Sequence, residues 1–313
     1  MGVMTTSSFA KALWPGVNTW YGKEYGDYAV EWTALFEQNK STRAYEEDVG
    51  LSSFGLAQVK TEGAPIAYDT ERQGFTSRYN PVVYALGFTI TREMFDDDQY
   101  DIVGQKKAKA LARSMRQTKE IVGANVYNRA FSTSYTGGDG ASLIASAGAA
   151  TAGGSSSHAT AAGGTYTNGV ATAADLSEAV LEQASIDIAA LRDDRGLLIA
   201  AKPRKLVIPP ALQFEAKRIL GTDGRPGTDL NDLNAIKTMG IIPEVVVNHY
   251  LTDPNAWFIL TDVKDGLKYF ERNGDEFDMD NDWDTENAKF KARARYAFGW
   301  TDPRGIYASP GAY

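Results

Sequence analysis

The chain has 313 residues, no cysteine, 43% hydrophobic residues and a formal net charge of −8. That length supports a sizeable core divided between lobes, and the missing cysteines exclude disulfides and thiolate metal sites. The acidic balance argues against the whole chain wrapping nucleic acid, which needs clustered Lys and Arg. No apolar run is long enough to span a bilayer, and the N-terminus lacks the basic start and apolar stretch of a secretory signal.

The chain opens with an aromatic stretch (Trp14, Trp20, Tyr21) that has no clear period. Tyr25, Tyr28, Ala29, Trp32, Leu35 and Phe36 then recur at spacings of three and four, which predicts a short amphipathic helix over 24–40. Together these read either as an arm that packs on something else or as an ordinary N-terminal helix on its own core, since periodicity does not name the partner. Residues 54–93 read as extended structure. Val82, Tyr84, Leu86, Phe88 and Ile90 alternate with smaller or polar residues, the period of a strand. Phe54 to Asp69 is the expected partner strand, with a polar turn at 70–74. A two-stranded hairpin of this length is marginal alone in water, so it is expected to pack on its own domain or on a neighbouring chain.

One long helix is predicted over 95–132. Asp96, Asp97 and Asp98 stand at its positive end, and Ile102, Leu111, Met115, Val122 and Val126 form its apolar side. Such a helix is roughly 50 Å long. Residues 134–172 are mostly Gly, Ala, Ser and Thr and read as a flexible surface loop. A second helix follows from Ala173 to Leu191. Lys205–Ile208, Val245–Val247 and Trp257–Leu260 read as short strands, and Ala211–Leu220 as a helix. Phe290 to Trp300 is a long strand with Lys291, Arg293 and Arg295 on its second face.

Motifs for chemistry are scarce. Asp278, Asp280, Asp282, Asp284 and Glu286 alternate like the start of a calcium loop, but the sixth position is Trp283 and the twelfth Lys289. The calcium pattern therefore fails, and a half-buried strand with an acidic face explains the spacing. Only His158 and His249 are present, without a nucleophile elbow or a zinc pair. A Ser-His-Asp triad needs only to meet in space, so spacing does not decide it. Gly137, Gly138 and Gly140 follow a helix and lack the lysine of a phosphate loop. No cofactor is expected. Residues 99–130 carry a net charge of +5 and residues 253–287 a net of −8. Opposite fields favour pairing of these two regions, within one chain or between chains, over nucleic-acid binding.

The order of elements, with several specific stretches, carries a family resemblance. Tyr79-Asn80-Pro81 leads to Arg92-Glu93-Met94-Phe95, and Lys202-Pro203-Arg204-Lys205-Leu206-Val207-Ile208-Pro209-Pro210 follows. Met279-Asp280-Asn281-Asp282, Asn287-Ala288-Lys289-Phe290 and Phe298-Gly299-Trp300-Thr301-Asp302-Pro303-Arg304-Gly305 complete the set. Over nearly its whole length the chain resembles the major capsid proteins of tailed bacteriophages, of the Hong Kong 97 fold, and is most similar to the Mu-type major head subunits. It departs from them at 141–164, where a longer Ala/Gly/Ser run keeps His158.

The resemblance implies an α+β fold. Residues 1–53 would be an N-terminal arm, 54–93 an extended hairpin loop, 94–134 the spine helix of a peripheral domain and 135–172 the glycine-rich loop. Residues 173–270 would be the axial domain, 271–300 the peripheral strands and 301–313 the C-terminal segment. It further implies a protein without catalytic activity, in pentamers and hexamers of an icosahedral shell around double-stranded DNA. Its expected partners are copies of itself, a separate scaffolding protein, a portal and a decoration protein, with no membrane. Assembly would occur in the bacterial host cytoplasm, and the product would be the virion. Expected inter-subunit contacts are Trp14, Trp20, Lys60, Glu62, Arg72, Phe75, Arg78, Lys106, Arg113, Asp280 and Asp282. Two rival readings stand beside this one. They are an encapsulin-type compartment carrying protein cargo and a metal-dependent hydrolase built on the acidic stretch.

Overall fold

The computed structural model describes residues 18–26, 29–63, 65–91, 93–94, 100–224, 233–281 and 287–312. Strands in chain order are β1 (Glu37–Lys40), β2 (Glu46–Leu51), β3 (Gln73–Tyr79), β4 (Val82–Ile90), β5 (His158–Ala159) and β6 (Thr165–Tyr166). They continue as β7 (Pro203–Ile208), β8 (Glu244–Val247), β9 (Trp257–Thr261), β10 (Leu267–Asn281), β11 (Ala288–Trp300) and β12 (Ile306–Ser309). The helices are α1 (18–26), α2 (Tyr100–Asn128), α3 (Ala147–Thr151), α4 (Glu178–Ala189), α5 (Gln213–Gly221) and α6 (Ala235–Met239).

Two four-stranded sheets organise this mixed α+β chain, one ordered β1-β10-β11-β4 and the other β12-β9-β7-β8. In the first, β11 is central and pairs antiparallel with both β10 and β4. Aromatic neighbours support that register. Phe88 stacks on Phe290 at 4.9 Å, and Tyr84 on Tyr296 at 4.8 Å. Helix α2 packs on β4 and β11. Ala108, Leu111, Ala112, Met115, Ala124 and Tyr127 are buried at the spacings of one helical face. The second sheet and helices α4, α5 and α6 share a separate core around Leu181, Ile188, Leu206, Ile208, Trp257 and Tyr307.

Several expectations need correction. The predicted helix over 24–40 is instead α1, a 3-10 turn at Trp32–Ala34 and strand β1, parallel to β10. Trp32, Leu35 and Phe36 are buried as the stripe requires. A turn followed by an edge strand has placed them on one side without a continuous helix. The pairing expected within 54–93 is also different. Strand β4 pairs with β11, and the hairpin is formed by β2 and β3. The expected turn at 70–74 runs into β3, and residues 52–72 have no regular secondary structure among the described ones. Helix α2 ends at Asn128, one turn short of the predicted end, and Asp96, Asp97 and Asp98 lie outside the described residues. The second helix begins at Glu178 instead of Ala173, with the Ser177 side chain accepting from the Val180 N–H.

The glycine-rich segment is the largest correction. It is a packed joint, not a loose loop. Leu143, Ile144, Ala145, Ala149 and His158 are fully buried, and Leu143, Ile144 and Ala149 belong to the core that also holds Phe258, Ile306 and Tyr127. Small side chains here admit close backbone contacts. A Cβ on Gly148 would meet the Val170 carbonyl oxygen at 2.6 Å, and one on Gly169 the Ala308 carbonyl oxygen at 2.9 Å. Low side-chain bulk lets strands and turns from both lobes meet here.

Candidate assembly surfaces

The β2–β3 hairpin is anchored firmly at its root. Tyr79, 4% exposed, packs on Phe270 with ring centroids 4.7 Å apart. Its hydroxyl and that of Thr301 are 2.6 Å apart, and Thr301 Oγ1 donates to Asp48 Oδ2 at 2.9 Å. Lys268 Nζ bridges Asp48 and Asp265. Burial works against the Lys268 charge, but the bonds to Asp265 and Asp48 outweigh it and hold its pKa above the ordinary value.

Beyond the ladder the two arms of the loop stay together. The Ser52 N–H donates to the Arg72 carbonyl at 2.9 Å, and the Arg72 N–H to Ser52 Oγ at 2.7 Å. The Gly55 N–H donates to Asp69 Oδ2 at 2.8 Å. Past this point the tip displays Leu56, Val59, Ile66 and Tyr68, with Phe54 beside them. Val59 is 95% exposed and Tyr68 92%. Such a cluster on a projecting loop is far more apolar than solvation favours and marks a contact surface.

Among the expected contact residues, Lys60, Glu62, Arg72, Phe75 and Arg78 fall on this hairpin and its tip. Phe75 is 40% exposed. Arg78 lies over the Tyr45 ring at 3.8 Å and pairs with Glu47 at 3.7 Å. Lys106 and Arg113 are exposed on α2, and Asp280 is exposed near the far end of β10. These three are not brought to the hairpin surface. Trp20 is half-buried against its own chain, beside Ile90, Ala108 and Phe290. Trp14 and Asp282 lie outside the described residues. The tip's apolar residues were not singled out by sequence. Their only signal was bulky side chains without a period in a stretch rich in Gly and polar residues.

The opposite charges of α2 and the 253–287 region meet inside one chain. Lys119 Nζ lies 3.5 Å from Glu271 Oε2, among the rings of Trp32, Tyr269 and Tyr296 at 4.9–5.3 Å. Burial lowers its pKa below the ordinary lysine value, opposed by Asp275 and Glu271. Next to it, Glu120 accepts from the Glu31 and Trp32 N–H groups, each at 3.0 Å. Burial raises the Glu120 carboxyl pKa, with those two bonds acting against it. This pair locks the turn at 31–36 onto the helix. At its other side, Glu31 reaches His249, with Oε1 2.7 Å from Nδ1.

His158 belongs to a second buried network. Its Nδ1 is 2.6 Å from Asp139 Oδ2 and its Nε2 3.1 Å from Asn168 Oδ1. Both ring nitrogens are taken, so His158 is not left to activate a serine. Asn168 Nδ2 donates to the carbonyls of Leu143, Pro303 and Ile306, while its Oδ1 also accepts from the Ala145 N–H. The His158 ring stacks on Tyr166, whose ring also faces the Arg304 guanidinium at 4.1 Å. The network is a structural peg through the glycine-rich joint. Among the described residues no group of three or more His, Asp or Glu could hold a metal ion, and no helix is long and apolar enough to cross a membrane.

No curated protein matches the chain in sequence. Solved structures do match in fold. The capsid of Myoviridae phage XM1 is 11% identical with a TM-score of 0.51, covering 91% of this chain and 93% of that one. Mycobacterium phage Adephagia gives 11% and 0.51, covering 91% of each chain. The capsid of a native GTA particle gives 17% and 0.51, covering 90% of each. At these identities the likeness is one of fold. The model of a family described as phage capsid protein matches residues 74–309, well over half of the chain. The chain therefore belongs to the phage capsid protein family, as a structural subunit of the virion shell that works in many copies and not as an enzyme.

Proposed function

We propose that this chain is the major head subunit of a tailed phage, forming pentamers and hexamers of an icosahedral shell around double-stranded DNA. The observation that carries the reading is the hairpin. It projects from a locked root and ends in exposed Leu56, Val59, Ile66 and Tyr68, a liability in a monomer and an interface in a shell. Repetition of each contact by symmetry turns modest contacts into strong avidity. The net charge of −8 fits a container that does not grip its DNA.

Within this reading the hairpin is the part that reaches neighbours, while Tyr21, Trp32, Leu35 and Phe36 of the proposed arm, 1–53, pack into their own chain's core. The sheet around β10 and β11 with α2 is the peripheral body, and 173–270, less the start of β10 at Leu267, is the axial lobe. Lys60, Glu62, Arg72, Phe75 and Arg78 contact a neighbour with the tip, and Lys106, Arg113 and Asp280 serve other edges. Assembly takes place in the host cytoplasm with a separate scaffold, a portal and a decoration protein.

Nuclease treatment of purified particles tests the content. Protected double-stranded DNA is the expected result. Shells that hold protein cargo and no DNA would place the chain with encapsulin-type compartments instead.

A further inference from the structure

The loop from 52 to 72 is long for a segment without regular structure, and such loops ordinarily sample many conformations. Here its direction is fixed by a residue far away in sequence. Arg195 Nη1 donates to Asp69 Oδ1 and Oδ2 at 3.1 and 2.9 Å, and Nη2 to Oδ1 at 3.1 Å. Nη2 also donates to the Thr70 carbonyl. This fork on a carboxylate is the most directional ion pair available to side chains. The same carboxylate accepts from the Gly55 and Thr70 N–H groups, so one side chain ties both arms of the loop to the lobe.

The other partner sits on a rigid mount. Asp193 Oδ1 accepts from the N–H groups of Arg195 and Leu197 at 2.9 and 2.8 Å, and the Arg192 side chain closes the turn onto the Gly196 carbonyl. Buried Arg304 holds the base of that turn, through the Arg192 carbonyl at 2.9 Å and Asp194 at 2.7 Å. Arg304 in turn faces Tyr166 of the His158 network. A line of contacts therefore runs from the packed joint to the loop tip.

Arg195 is 26% exposed and Asp69 40% in their side chains, so solvent screens the pair and it adds little to folding stability. Its effect is on position. We propose that Arg195 is a positioning residue for shell assembly: its clasp on Asp69 pre-orients the apolar loop tip for docking on a second copy of this chain. The inference rests on the hairpin reading above. Fixing a loop before it binds removes part of the ordering cost that association must otherwise meet.

Arg195→Ala in the full-length chain is the test, alongside Val59→Asp/Tyr68→Asp as a tip control. The clasp variant should keep the wild-type unfolding midpoint, form shells roughly tenfold more slowly, and be cut faster by trypsin at Lys60 in the free subunit. Arg195→Lys, which keeps the charge but loses the fork, should fall between. If the tip control assembles normally, the hairpin reading itself fails. If the control is blocked while Arg195→Ala assembles and resists trypsin like wild type, the clasp has no positioning role.

Discussion

Asn168→Ala should destabilise the chain by about 3–5 kcal/mol, because several buried backbone groups and a histidine lose their partner together. Asn168 is fully buried. Its amide donates to Leu143, Pro303 and Ile306 carbonyls, and its oxygen serves Ala145 and His158. The 143–145 and 303–306 segments are far apart in sequence, and this one side chain joins them. Asn168→Asp makes the point sharper. It keeps size and shape but removes both amide donors, and it adds a carboxylate in a buried site already holding Asp139. It should cost at least as much as alanine. Denaturant unfolding of the free subunit measures both. A change below about 1 kcal/mol for either would show that the joint does not depend on this peg.

Replacing residues 57–67 by a short Gly-Ser link should abolish shell formation while leaving the subunit folded. The Gly55 N–H and Asp69 Oδ2 are 2.8 Å apart, so the ends to be joined are already close. The root contacts of Tyr79, Thr301, Asp48 and Lys268 lie outside the excised stretch. A wider excision, 62–78, would remove most of β3 and with it the ladder to β2. Sedimentation of the assembly reaction and circular dichroism of the subunit read the two effects separately. Normal shells from the shortened chain would remove the tip from the interface, and a loss of fold would mean the tip is part of the core.

Much of the body was legible because burial there follows the local period. Strands β4, β7, β9 and β11 and helices α2, α4 and α5 lie close to where alternation or three-four spacing put them. What failed involved partners distant in sequence. Strand β4 faces β11, about two hundred residues away, and nothing local distinguishes that choice from a hairpin with the preceding stretch. Strand β2 reads Glu-Glu-Asp-Val-Gly-Leu, a composition with little strand propensity, and owes its form to β3.

The glycine-rich segment misled for a different reason. Poor apolar content predicts exposure, but Ala141 to Ser146 are buried in a joint where glycines admit close backbone contacts. His158, which no sequence motif singles out, is its buried centre. The opposite charges of α2 and the acidic region were legible in composition, and Lys119 and Glu271 meet within one chain. The clasp between Arg195 and Asp69 carried no sequence signal at all, since neither residue belongs to a motif.

A reconstruction of the assembled shell at side-chain resolution tests the hairpin's role most directly. Leu56, Val59, Ile66 and Tyr68 of each copy should be covered by an adjacent subunit, with β2 and β3 still paired at the root. A shell in which these residues remain in solvent, or touch only their own chain in every copy, would contradict it.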